Sequence, residues 1–170
     1  MKNLLISNRE LRGMVHNLCR SISNSEWRPD YVVGITRGGL IPAVMISNYF
    51  NVRCEALKVS LRDSGESESN CWMAEDAFGH NMEVARNILI VDDINDSGAT
   101  LNWIKQDWQS SCLPNDERWA DVWNNNVRIA TLFDNESSKS ELAVDYSAVT
   151  INKAEEDVWI DFPWESWWTR

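Results

Sequence analysis

Three short stretches of this chain carry residue types that could act together on one ligand. The first is 88–100, reading I-L-I-V-D-D-I-N-D-S-G-A-T. Asp92 and Asp93 stand as adjacent acids at the end of a continuous apolar run. Such a run reads as a strand buried on both faces, and in open α/β sheets ligands bind beyond the carboxyl ends of the strands. The turn that follows, Asp96-Ser97-Gly98-Ala99-Thr100, opens a helix with small residues. Its unpaired backbone N–H groups and the helix dipole suit a phosphate. Gly98 allows close backbone approach and unusual dihedrals, while Ser97 and Thr100 add hydroxyl donors. Carboxylates cannot bind phosphate directly. Asp92 and Asp93 therefore suit sugar hydroxyls, or a cation bridging to a diphosphate. The stretch predicts a phosphorylated sugar, with its hydroxyls on the acids and its phosphate in the turn.

The second stretch is Val33-Gly34-Ile35-Thr36-Arg37-Gly38-Gly39-Leu40. Alone it is equally a Gly-rich turn with a solvated arginine or an anion-binding loop. The third is Val158-Trp159-Ile160-Asp161-Phe162-Pro163-Trp164-Glu165. An aromatic face is a natural partner for a flat heterocycle, but a tryptophan-rich tail also makes core or a dimer contact. His16 and His80 read as structural or solvated, and the acidic pairs Glu66/Glu68 and Glu155/Glu156 as solvated faces.

The elements that must position these stretches follow from pattern. Ser7 and Glu10 form a capping box, and Leu11, Met14, Val15, Leu18 and Ile22 continue with helical period. Residues 31–35 read as a buried strand, 40–50 as a helix and 52–59 as a strand. Residues 62–80 are polar and read as a mobile loop of functional length. A strand over 87–91, a helix over about 100–109, and strands over 127–133 and 146–151 complete the pattern. Residues 110–126 read as an irregular, polar insertion and 134–141 as another polar loop. Strands alternating with helices predict an α/β fold with a mostly parallel sheet flanked by helices.

Composition bounds the rest. The 170 residues fit a single domain, with 151–170 as an appended segment. The net charge of −10 argues against nonspecific binding to nucleic acid or an anionic membrane, which both reward basic surfaces. Cys19, Cys54, Cys71 and Cys112 are scattered, with no C-x-x-C pair and no zinc spacing. They read as reduced thiols of a cytoplasmic protein. The apolar run at Met1–Ile6 is too short for a signal peptide, and no segment approaches a membrane span.

All thirteen positions of the first stretch resemble the phosphoribosyl-diphosphate signature of type I phosphoribosyltransferases. Paired with it, the second stretch resembles the diphosphate loop of that family. W-I-x-x-P-W followed by an acid is similar to the C-terminal hood of the bacterial xanthine-guanine enzymes. The resemblance implies the type I fold, with a base-binding hood over 151–170, and transfer of 5-phosphoribose to a purine base in salvage, with Mg²⁺ as cofactor. It implies sites for the activated sugar at Thr36, Arg37, Gly38, Gly39, Asp92, Asp93, Asp96, Ser97, Gly98, Ala99 and Thr100. Asp93 would be on the metal side. Asp96 would take or orient the proton lost by the base, and Arg37 would reach diphosphate oxygens. It also implies a cis peptide at Thr36–Arg37, and a homo-oligomer. The base would stack on Trp159 beside Ile160. Two departures stand out. Asn135 occupies the place of the family lysine that contacts the purine 6-oxo group, with Lys139 nearby, and Ser60-Leu61-Arg62 stands where the family has a Ser-Tyr pair. Two further readings fit the same residues: a transferase for another base, and a noncatalytic regulator that senses the activated sugar.

Overall fold

A computed structural model describes residues 1–59, 61, 71–80 and 84–170. The elements are β1 (Lys2–Leu5), α1 (Asn8–Asn24), β2 (Tyr31–Thr36), α2 (Leu40–Phe50), β3 (Arg53–Lys58), α3 (Cys71–Phe78), β4 (Ile88–Asn95), α4 (Ala99–Ser111), β5 (Val127–Asn135), β6 (Tyr146–Ile151) and β7 (Val158–Asp161). One-turn 3₁₀ segments lie at Glu117–Asp121 and Trp167–Thr169. Five strands form a parallel sheet in the order β3-β2-β4-β5-β6. Side chains alternate across it as strand geometry demands. Leu89 and Val91 of β4 join one core with α1 and α2, while Ile88 and Ile90 join a second core with α3 and α4. The α/β fold with a parallel sheet between helical layers is thus as expected.

The capping box that starts α1 is present. Ser7 Oγ accepts from the Glu10 amide at 3.1 Å, and Glu10 Oε2 accepts from the Ser7 amide at 2.7 Å. Leu11, Met14, Val15, Leu18, Cys19 and Ile22 are its buried face.

Four expectations change. First, β4 runs on through Asp92 and Asp93 to Asn95, because β5 continues beside it and pairs Asp92 with Thr131 and Ile94 with Phe133. Second, the polar stretch 62–80 contains helix α3. Met73, Ala74 and Ala77 recur at helical spacing and are buried against the sheet, and the Tyr31 hydroxyl donates to Asp76 at 2.9 Å. Ser60, Arg62 and the acidic centre of that stretch lie outside the described residues. Third, the irregular stretch 110–126 sends Cys112, Trp119, Val122 and Trp123 into the core while its polar residues stay largely at the surface. Trp119 and Trp123 stack at 5.7 Å and 19° beside Trp108. Their indole N–H groups donate to Cys112 O at 2.8 Å and Gln109 Oε1 at 2.9 Å. Fourth, the C-terminal segment forms strand β7, paired in parallel with β1. The hood is therefore built from both ends of the chain, and Ile6, Val158, Ile160 and Phe162 tie it into the α1/α2 core.

Trp108 is fully buried and Trp167 is 66% exposed. Trp108→Ala should cost about 3–5 kcal/mol in urea denaturation, and Trp167→Ala about 0.5 kcal/mol or less.

Candidate active site

The carboxyl ends of β2 and β4 bring the first two stretches together. A cavity of about 640 Å³ is lined by Thr36, Arg37, Gly38, Asp92, Asp93 and Thr100, with Ile41 and Val59 at its side and Trp164, Glu165, Ser166 and Trp168 across from them. A second cleft of about 240 Å³ shares Asp92, Asp93 and Thr100 and continues along Asp96, Ser97, Gly98 and Ala99. The two spaces meet at the acids.

Glycines make this meeting possible. A Cβ on Gly38 would stand 2.0 Å from Asp93 Oδ2, and one on Gly39 would stand 2.5 Å from Val91 O. The loop after β2 thus lies directly on the end of β4. The Thr36–Arg37 peptide is cis. Arg37 is exposed and makes no ion pair with a described residue. Gly98 has φ of +88°, and a Cβ there would meet Ser140 N at 2.2 Å. The turn opening α4 is therefore doubly reserved for glycine.

The first turn of α4 has no side-chain cap at Gly98. Ser97 Oγ accepts from the Ala99 amide at 3.2 Å. The amides of Thr100 and Leu101 remain at the mouth of the smaller cleft, positioned for an anion. Thr131, a lone hydroxyl in the apolar run of β5, lies in the floor of that cleft. It is fully buried, and its Oγ1 has no partner among the described residues. An unpaired buried hydroxyl is costly, and this polar interruption in I-A-T-L-F was the one sequence signal for it.

The acids are electrostatically tense. Burial, then the neighbouring Asp93 carboxylate, pushes the Asp92 carboxyl well above its usual range. Burial also raises Asp93, against hydrogen bonds that favour its ionised form. The Asp93 amide donates to Asp92 Oδ1 at 2.9 Å, and the Ile94 amide to Asp93 Oδ1 at 2.8 Å. Among the described residues no group of three or more His, Cys, Asp or Glu is placed to hold a metal. One or two carboxylates facing a phosphate site fit Mg²⁺, which keeps waters and takes its other ligands from phosphate oxygens.

A comparison with known families matches residues 2–167 to the phosphoribosyl transferase domain. The chain belongs to that family. It is 29% identical over 143 residues to the xanthine-guanine phosphoribosyltransferase of Cereibacter sphaeroides, covering 84% of this chain and 71% of that protein. The Idiomarina loihiensis protein of the same name is 26% identical over 135 residues, covering 79% and 70%. The fold matches the crystal structure of a purine phosphoribosyltransferase from Pyrococcus horikoshii with a TM-score of 0.67, at 20% identity, covering 98% and 96% of the two chains.

Within this phosphoribosyltransferase the residues expected on the base side are arranged differently from those expected on the sugar side. Trp159 and Ile160 lie on β7 and point to opposite sides of it. Ile160 is core, Trp159 is 54% exposed, and neither lines the two spaces described above. Trp164 and Trp168 face the cavity instead. Trp164 stacks on Phe162 at 4.7 Å and 3°. Arg170 holds this tail down, donating to Ile6 O at 2.8 Å and Phe162 O at 2.9 Å and pairing with Asp161 at 3.0 Å.

Asn135 is buried and fully engaged. Its Nδ2 donates to Asp96 O at 3.0 Å, and its Oδ1 accepts from Ser137 Oγ at 2.8 Å and the Lys153 amide at 3.0 Å. A base contact there would displace one of these bonds. Lys139 is exposed and touches the phosphate turn only through its backbone, its amide donating to Ser97 O at 2.8 Å. Lys153, which no motif marked, pairs with Asp96 at 3.0 Å.

The raised acids predict a pH effect. Their folded values exceed the usual 3.8, so the stability from the protonated doublet is complete below that value. It is lost as the pH rises through the raised values. As the pair ionises it opposes the fold. Asp93→Asn should raise the melting temperature of the ligand-free protein at pH 7 by about 2–4 °C, with the gain vanishing below pH 4 in calorimetric scans. Gly38→Ala should weaken binding of the activated sugar about tenfold or more, read by fluorescence titration, because the new methyl displaces Asp93.

Proposed function

We propose that this chain transfers 5-phosphoribose from phosphoribosyl diphosphate to a purine base (guanine, xanthine or hypoxanthine), releasing diphosphate, in purine salvage. The observation that carries this reading is the half-buried carboxylate doublet shared by two adjoining spaces. One space holds a free arginine and a glycine loop, and the other holds the open amides of α4. A sugar bearing a phosphate at one end and a diphosphate at the other fits that division. The names of the related proteins point to purines as acceptors.

In this reading the amides of α4, with Ser97 and Thr100, hold the 5-phosphate. Asp92 and Asp93 accept hydrogen bonds from the ribose hydroxyls. A ring nitrogen of the base attacks the anomeric carbon, the bond to the diphosphate oxygen breaks, and the electron pair leaves with diphosphate. Arg37 and the amides at Gly38 and Gly39 neutralise the charge that develops there, where fixed donors are most effective. Mg²⁺, held on the Asp93 side, would supply further charge stabilisation to the diphosphate. Asp96 accepts the proton that the base gives up. Trp164 and Trp168 narrow the access of water to the reacting carbon. The reading carries with it a cytoplasmic setting, supported by four free cysteines. It also carries a homo-oligomer, supported by the exposed apolar Ile41, Val44 and Tyr49 on α2.

Diphosphate release should follow addition of the activated sugar, Mg²⁺ and a 6-oxopurine. Arg37→Ala should lower kcat about 10²–10³-fold, and Asp96→Asn about 10²–10⁴-fold. Binding of the activated sugar without release for any base would replace transfer by a sensing role.

A further inference from the structure

Thr131 is the one polar side chain in the run Ile129 to Phe133 of β5, and the transfer chemistry above makes no use of it. It is 0% exposed, and its Oγ1 has no partner among the described residues. It lines the smaller cleft together with Asp92 and the first turn of α4 at Thr100 and Leu101. Sheet register explains this placement. Ile88, Ile90 and then Asp92 alternate onto one face of β4, and Val127, Ile129 and then Thr131 onto the same face of β5. The four apolar residues share one core with Leu101 of α4. The ladder pairs Asp92 with Thr131. Neighbouring strands lie about 4.8 Å apart, so the hydroxyl and the carboxylate are neighbours across the ladder.

A buried hydroxyl without a partner gives up its bonds to water and gains nothing in return. Valine has nearly the same shape and would fill the same place without that loss. The cleft thus keeps a hydroxyl that the fold does not need. Asp92 has the complementary surplus. Among the described residues its carboxylate takes one N–H bond, from the Asp93 amide to Oδ1, although a carboxylate offers about four acceptor sites. A change of staggered rotamer moves a threonine hydroxyl without moving the backbone. We propose that Thr131 is a positioning residue for the sugar: in the ligand-bound protein its hydroxyl donates to the Asp92 carboxylate and holds it aimed at the ribose hydroxyls. The ribose bonds the carboxylate from the cleft and Thr131 bonds it from the floor, so it is fixed between them. This inference rests on the reading of the doublet as a ribose site.

The test compares wild type, Thr131→Val and Thr131→Ser in two measurements: melting of the ligand-free protein, and binding of phosphoribosyl diphosphate with Mg²⁺. The two variants should cross. Thr131→Val should melt as high as wild type or about 2–4 °C higher, yet bind the activated sugar about tenfold more weakly, the usual scale for a hydrogen bond to a charged group. Thr131→Ser keeps the hydroxyl and loses a buried methyl. It should melt about 2–4 °C lower and bind within about threefold of wild type. Inorganic phosphate, read by its competition with the activated sugar, should bind both variants within about twofold of wild type, because it seats on the α4 amides and not on Asp92. Wild-type affinity for the activated sugar in Thr131→Val overturns the assignment. So does a fall of melting and affinity together in that variant, which would make the residue structural, and so does a Thr131→Ser variant that binds as weakly as Thr131→Val. An equal loss of phosphate binding in Thr131→Val would place the hydroxyl on the phosphate and overturn its action through Asp92. Wild type that binds no activated sugar overturns the functional reading itself, and the threonine assignment with it.

Discussion

Two half-buried carboxylates side by side in the carboxyl half of the central strand are expensive to ionise. Burial and mutual repulsion both act against the charged forms of Asp92 and Asp93, and an unpaired buried charge costs several kcal/mol. A fold selected for stability alone would place a valine or threonine there. The surrounding structure is arranged to keep the acids accessible instead: Gly38 and Gly39 let the neighbouring loop lie against them, and Gly98 turns the chain beside them into a helix whose amides stay open. In the proposed reading, the tension in the doublet is relieved when sugar hydroxyls and a cation occupy the site. Ligand affinity here is stability withheld from the empty protein.

The hood follows a different logic. Its two strands come from opposite ends of the chain, and Lys2 through Leu5 pair with Val158 through Asp161. Pairing segments so far apart in sequence carries the entropy cost of closing a long loop. The Phe162 ring bridges the two parts, meeting Phe133 of β5 edge-on at 5.9 Å and stacking on Trp164. Arg170 then fixes the remaining tail to the carbonyls of Ile6, Asp161 and Phe162, at the ends of the two hood strands. Aromatic walls are thereby set over a site whose floor is carboxylate and amide.

The strand, turn and helix that carry Asp92 to Thr100 were legible in the residues because local chemistry dictates them. A β-branched run ending in acids, then D-S-G-A-T, leaves few conformations other than strand, tight turn and helix. Long-range structure was less legible. β1 is four residues long and gains its strand character only by pairing with β7. The helix α3 is written in Met73, Ala74 and Ala77, a weak apolar signal beside a strongly polar stretch. Trp119 and Trp123 sit among polar neighbours, and their burial depends on a groove formed with α4. The base side was hardest to read. Asn135 aligned by position with a ligand contact, yet its amide is spent on Asp96, Ser137 and Lys153. Lys153 has no motif around it, and its place beside Asp96 shows only in the folded chain, where its amide is held by Asn135.

The central claim is that the acid doublet, with the amides beside it, grips a phosphorylated pentose. Isothermal titration of phosphoribosyl diphosphate into the protein tests this most directly, run with and without Mg²⁺ and in two buffers of different ionisation enthalpy. A saturable heat that strengthens with Mg²⁺ is expected. Its dependence on the buffer should report net proton release, because the doublet must ionise to hold its ligand. Absence of heat in both magnesium buffers, or binding with no difference between them at a pH near the raised acid values, would contradict the account.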